Sequence, residues 1–237
     1  MYNHLPLNIA TQPDDTTCGP TCLHAVYHYY GDNAALADII DQTHTLPQGG
    51  TLAPYLACHA LRRGYRATIY TYDLKTFDPS WFTDEVHIAE RLEKQAGHKH
   101  GKKLQLATHS YLEYLSLGGT LRYEDMTPTL IRKYLKRGSP ILTGLSATYL
   151  YRTPREYGPN DVYDDIRGYP SGHFVVIHGY DPDTRQVLIA DPSRPGTVPE
   201  TGIYWASIDR LVGAVMLGIL TYDANLLIIE PGYKRKQ

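Results

Sequence analysis

The apolar residues change their spacing about halfway along the chain. In the first half they recur at helical intervals. Cys22, Leu23, Val26, Tyr27 and Tyr30 predict a first helix from about Cys18 to Tyr30, stopped by Gly31. A second helix is expected from Asn33, a suitable cap, to Gln42, and a third from Thr51 to Arg63, closed by Gly64. Arg66–Tyr72 alternates as a strand does. Residues 73–120 read as a helical insertion: Asp84–Gln95 looks helical, GHKHGKK an exposed basic turn, and Thr108–Leu117 a short helix before Gly118-Gly119. Thr127–Arg137 is a further helix, with Thr127 as cap, Pro128 in its first turn and Gly138 at its end.

After residue 140 the runs become strand-like. Pro140–Leu145, His173–Tyr180, Gln186–Asp191, Gly202–Ser207, Ala214–Tyr222 and Leu226–Glu230 are the predicted strands. Between them residues 146–172, rich in Tyr, Pro, Gly and Asp, lack periodicity and read as a lid or binding loop. Helices first and antiparallel strands afterwards give an α+β fold, expected as a single domain over residues 1–237.

Composition narrows the function without fixing it. A net charge of −2 offers no broad basic surface for nucleic acid or an anionic membrane. No apolar run reaches the roughly 18 residues that span a bilayer, and MYNHLPLNIATQPDD lacks the marks of a secretory signal. Three cysteines are an odd count for a disulfide framework and fit a reducing, cytoplasmic setting. The chain holds 21 Tyr against 3 Phe, which brings many hydroxyls to half-buried surfaces and hints at a polar cleft.

The chemistry is concentrated at Cys18, which follows a polar loop and opens the first helix. Helix N–H groups and the helix dipole favour negative charge on a sulfur there. Gln12, six residues earlier, can bring its amide N–H₂ to an oxyanion. In SGHFVVIHGYDPDTRQVLIADPSRPG two apolar runs meet at the turn Asp181-Pro182-Asp183-Thr184. A hairpin there sets His173 opposite residue 191 or 192, so that Asp191 can orient the imidazole. Gly172, Tyr169 and Tyr163 belong to the long loop that runs into His173 and are the candidate substrate-binding residues. Cys22 and Cys58 read as core, and His178 as the weaker base because strand alternation turns it away. His24 and His28 have a spacing able to bind metal, but no third ligand or HExxH motif accompanies them, and a solvated helix face is expected.

At these residues the chain resembles a known family. Q-x-D-x-x-x-C-G-x-x-C-L, the helix ending YYG, and the later G-H-F-V-V-I-x-G-Y-D and D-P are similar to the papain-like cysteine peptidases of family thirty-nine. Those enzymes remove double-glycine leader peptides from bacteriocins. The resemblance covers roughly residues 9–63 and 140–196. It implies a papain-like fold, with the nucleophile at a helix N-terminus packed on a C-terminal antiparallel sheet. It also implies Cys18 as nucleophile, His173 as general base and acid, Asp191 as orienter, and Gln12 with the Cys18 N–H as oxyanion donors. The expected substrate is a peptide or protein, with cleavage after small residues such as Gly-Gly, and no cofactor or metal is implied. Two alternatives stay open: an acyltransferase or transpeptidase using the same acyl-enzyme, and a non-catalytic relative that binds peptides.

Overall fold

The computed structural model describes residues 3–47, 49–194 and 196–232. Its helices are α1 (Cys18–Tyr29), α2 (Leu36–Gln42), α3 (Ala53–Arg62), α4 (Ile88–Ala96), α5 (Lys102–Ser116), α6 (Pro128–Leu135), α7 (Ala147–Tyr151) and α8 (Ile208–Leu217). Its strands are β1 (Asn3–His4), β2 (Tyr65–Thr71), β3 (Thr120–Arg122), β4 (Ile141–Ser146), β5 (Glu156–Tyr157), β6 (Val162–Tyr163), β7 (Gly172–Asp181), β8 (Gln186–Ala190), β9 (Ile203–Ser207) and β10 (Asn225–Pro231). Eight strands form one sheet in the order β3-β2-β10-β4-β7-β8-β9, with β1 paired to β7. Every pairing in it is antiparallel except β2–β3.

Strand alternation gives this sheet two apolar faces. Ile69, Leu142, Val176, Leu227 and Ile229 pack with α1 and α3 residues such as Leu23, Val26, Leu56 and Ala57. Ile141, Val175, Ile177, Leu226 and Ile228 pack with Ile131 of α6, Leu150 of α7 and Leu211 and Val215 of α8. Helices therefore cover both faces. Each such buried aliphatic side chain contributes on the order of 1.5–3 kcal/mol, so the central strands are the least free to shift.

Several expected elements differ. The segment read as a strand at Ala214–Tyr222 is the end of α8 followed by a short 3-10 turn, Gly218–Leu220. Ile208, Leu211, Ala214 and Val215 are buried at helical spacing, and Ser207 caps the helix by accepting from the Asp209 N–H. A short apolar run has no periodicity that separates strand from helix. α2 begins at Leu36 with Ala35 at the cap position, not at Asn33. The Asp32 carboxylate holds that loop by accepting from the Ala34 N–H and pairing with Arg63. α5 begins six residues before Thr108, taking Lys102 and Lys103 from the basic turn into its first turn. Thr127 does cap α6, accepting from the Leu130 N–H. The stretch 146–172 holds α7 and the small β5–β6 hairpin. No helix among the described residues is long and apolar enough to cross a membrane.

Candidate active site

Cys18 is the first residue of α1, and no side chain caps that helix. The Thr17 hydroxyl turns back to the Asp14 backbone instead, and the Asp14 carboxylate accepts from Thr16, so the polar loop folds on itself before the helix starts. The uncapped first-turn N–H groups therefore surround the sulfur with positive potential. Gly19 lets this turn lie flush on its neighbours: a Cβ there would run into Thr51, Leu56 and Phe174. Cys22, one turn on, is buried and donates to the Phe174 carbonyl, and Cys58 is buried too. All three cysteines are free.

His173 begins the second pair of β7, opposite Leu145 of β4. The β7–β8 hairpin turns through the four residues 182–185 and carries an irregularity between Ile177 and Gly179. Continuing the Val176–Ala190 register sets His173 across from Ser193, rather than residue 191 or 192. Asp191 lies two residues before Ser193 and reaches the ring diagonally, as same-face neighbours do. Its Oδ1 is 2.9 Å from His173 Nε2. Ser193 Oγ is 3.2 Å from the same nitrogen. The Cys18 sulfur lines the same cleft and acts on the ring's charge.

Asp191 is 1% exposed, yet well satisfied. It takes hydrogen bonds from His173, from the Ser193 N–H at 3.0 Å, and from the hydroxyls of Tyr151 at 2.7 Å and Tyr204 at 2.8 Å. The Asp191 N–H donates to the Gly202 carbonyl, and a Cβ at Gly202 would meet the Asp191 carbonyl oxygen. Burial alone would raise the Asp191 carboxyl, but His173 and these donors lower it to about 2. Burial likewise opposes charge on His173, but the Asp191 carboxylate and the Cys18 sulfur raise it to about 10. The ring is thus held as imidazolium over the neutral range.

Cys18 and His173 both line a cleft of about 240 Å³. Of the candidate substrate-binding residues, Gly172 lines it, while Tyr163 and Tyr169 point to solvent, 53% and 74% exposed. Their loop reaches the cleft through Glu156 and Asp161. Glu156 is bridged to Tyr169 and paired with Tyr163, so backbone pairing faces the hairpin and leaves both rings outside. Gln12 is buried, its N–H donates to the Pro192 carbonyl, and its Oε1 has no partner among the described residues. His178 lies away from the cleft, its Nδ1 2.9 Å from the Leu5 carbonyl oxygen.

Residues 4–202 match the Peptidase_C39 like family. The chain belongs to this family. The C39-like fold recurs in a protein from Bacillus anthracis, with a TM-score of 0.52 at 12% identity over 97% of each chain. Weaker likenesses are to the peptidase domain of Streptococcus ComA (TM-score 0.45, 16% identity, 94% of this chain and 98% of that one) and to xylellain, a cysteine protease from Xylella fastidiosa (0.47, 14%, 97% and 85%). No curated protein matches the chain.

Three groups at this C39-like site escaped the sequence reading. Tyr151 was placed only as one of the tyrosines of the loop 146–172, with no contact to Asp191 foreseen, and Tyr204 was signalled only by the excess of Tyr over Phe. Asp223 follows the misread α8 segment. It lines the cleft, 6% exposed, beside Gly172. Burial pushes its carboxyl up to about 7, against the opposing effects of the Thr221 hydroxyl and Lys103.

Two outcomes follow from these carboxylates. Tyr204→Phe takes one donor from a buried charge and should cost about 1.5–3 kcal/mol in urea unfolding near neutral pH; a change under about 0.5 kcal/mol would mean the bond carries no weight. Asp223 has a folded-state value above its unfolded one, so its contribution is fully present below about pH 4 and is lost as pH rises through about 7. Asp223→Asn should therefore be more stable than wild type at about pH 8, by up to roughly 4 kcal/mol, with the gap nearly closed at about pH 4.5. Equal pH dependence of the two proteins would contradict the assignment.

Proposed function

We propose that this protein is a cysteine peptidase that hydrolyses a peptide bond through Cys18, His173 and Asp191. The observation that carries this is the His173 ring, held by Asp191 at 2.9 Å and lining one cleft with a cysteine that opens a helix. Family membership supports the same chemistry. The Cys18 thiolate attacks the peptide carbonyl carbon, and the carbonyl oxygen takes the negative charge. The Cys18 N–H and the Gln12 side-chain N–H₂ stabilise that oxyanion. His173 then gives its proton to the leaving amine as the C–N bond breaks, and a thioester remains. Water attacks the thioester, losing its proton to His173, and the acid product leaves with the thiolate restored. Asp191 keeps the imidazole oriented throughout and stabilises its charged form. Three free cysteines suit work in a reducing compartment such as the cytoplasm.

Iodoacetamide labelling across pH 4–9 with peptide mapping tests the thiolate–imidazolium pair. Cys18 should be labelled faster than the buried Cys22 and Cys58, and His173→Ala should slow that labelling by at least about tenfold. Equal labelling rates at Cys18 in wild type and His173→Ala would overturn the proposed pair.

A further inference from the structure

The cleft beside Cys18 and His173 contains a second buried carboxylate that the hydrolysis above does not use. Asp223 sits in a place built for it. A Cβ on Gly172 would collide with its Oδ2, and a Cβ on Gly144 would meet its carbonyl oxygen and its own Cβ. A Cβ on Gly218 would press on its carbonyl carbon. Three glycines, from β7, β4 and the turn after α8, thus clear room for one acid. The residue before it, Tyr222, has φ 68, a left-handed conformation that costs a bulky side chain on the order of 1–3 kcal/mol. Such strain is retained where the surroundings fix a loop in one shape. Here the fixed loop presents Thr221 and Asp223 to the cleft.

Acidic groups outnumber cations around the cleft, although the His173 imidazolium shares it. Among the described lining residues, Asp15, Glu156, Asp161 and Asp223 are acidic and Lys103 is the lysine set against them. Lys103 is also 5.3 Å from the Tyr222 ring centroid, and it acts on Asp223 through space. None of the ion pairs among the described residues involves Asp223, and the neighbouring Thr221 hydroxyl donates to the Gly218 carbonyl. A buried carboxylate so sparsely satisfied is costly, and a group with several N–H donors and a positive charge would relieve that cost. Acidic walls around a narrow space also concentrate cations there.

We propose that Asp223 is the specificity-determining residue of the cleft, receiving an arginine or lysine side chain of the peptide close to the scissile bond. This rests on the cysteine peptidase function proposed above. A guanidinium can approach both carboxylate oxygens at once, so arginine should be preferred. Glu156 and Asp161 on the rim draw the cation in, while Lys103 and the His173 imidazolium compete with it.

Calorimetric titration of the Cys18→Ala protein with benzamidine and with neutral benzamide, at about pH 8 where the carboxyl is ionised, tests this without any need for catalysis. Benzamidine should bind at least about tenfold more tightly than benzamide. That preference should vanish in Cys18→Ala/Asp223→Asn and grow by about two- to tenfold in Cys18→Ala/Lys103→Met, where the competing cation is gone. Equal binding of the two probes, or a preference that survives Asp223→Asn, overturns the proposal. Should the Asp223 variant fail to fold, no gain from Lys103→Met overturns it equally. Iodoacetamide labelling of wild type reports separately on Cys18 and His173, so the loss of one conclusion is distinguishable from the loss of the other.

Discussion

Burying the Asp191 carboxylate costs several kcal/mol unless its oxygens find donors, and the fold around it is arranged to supply them. His173 comes from β7, Ser193 from the chain just beyond β8, Tyr151 from α7 and Tyr204 from β9. Three separate elements and Asp191's own loop converge on one side chain. The edge of the sheet, the helix in the long loop and the residues after β8 are thereby held in one register. Gly202 completes the arrangement, because its open Cα lets the strand beyond approach the Asp191 backbone. Charge on His173 follows from this anchoring, and the sulfur at the start of α1 meets an imidazolium rather than a neutral ring.

The cleft holds a second buried acid in the opposite condition. Asp191 is lowered to about 2 by a positive partner and several hydrogen bonds, while burial leaves Asp223 raised to about 7. Two carboxylates driven apart by their surroundings are expected to have different tasks. The satisfied one orients the His173 ring. The sparsely satisfied one retains capacity for a partner from outside, and the stability it costs at neutral pH is the sort of local conflict that functional sites keep. The strained Tyr222 next to it is a conflict of the same kind.

The sequence was most legible where chemistry and periodicity reinforce each other. Cys18 opens a helix with buried residues at regular spacing, and His173 and Asp191 sit on neighbouring strands of a hairpin whose turn carries Pro182. The exact register was not readable, since a longer turn and the irregularity near His178 move His173 to face Ser193. Asp191 still reaches the ring because a two-residue offset keeps the same face. Tyr163 and Tyr169 were placed by proximity in sequence to His173, but a two-stranded hairpin turns them outward. Asp223 was hidden for a different reason. The apolar run before it lacks a decisive period, and the glycines that make room for it lie on strands remote in sequence. Contacts of that kind arise from packing, which local pattern does not encode.

The charge state of His173 is the point on which the proposed chemistry turns, and nitrogen NMR of the histidine-labelled protein reads it directly. In wild type the His173 ring should remain doubly protonated past about pH 8 and titrate near 10, and Asp191→Asn should bring that transition down by more than a full unit. A His173 ring that titrates near the ordinary value of about 6.5, and does not respond to Asp191→Asn, would contradict the view that a buried carboxylate prepares this site.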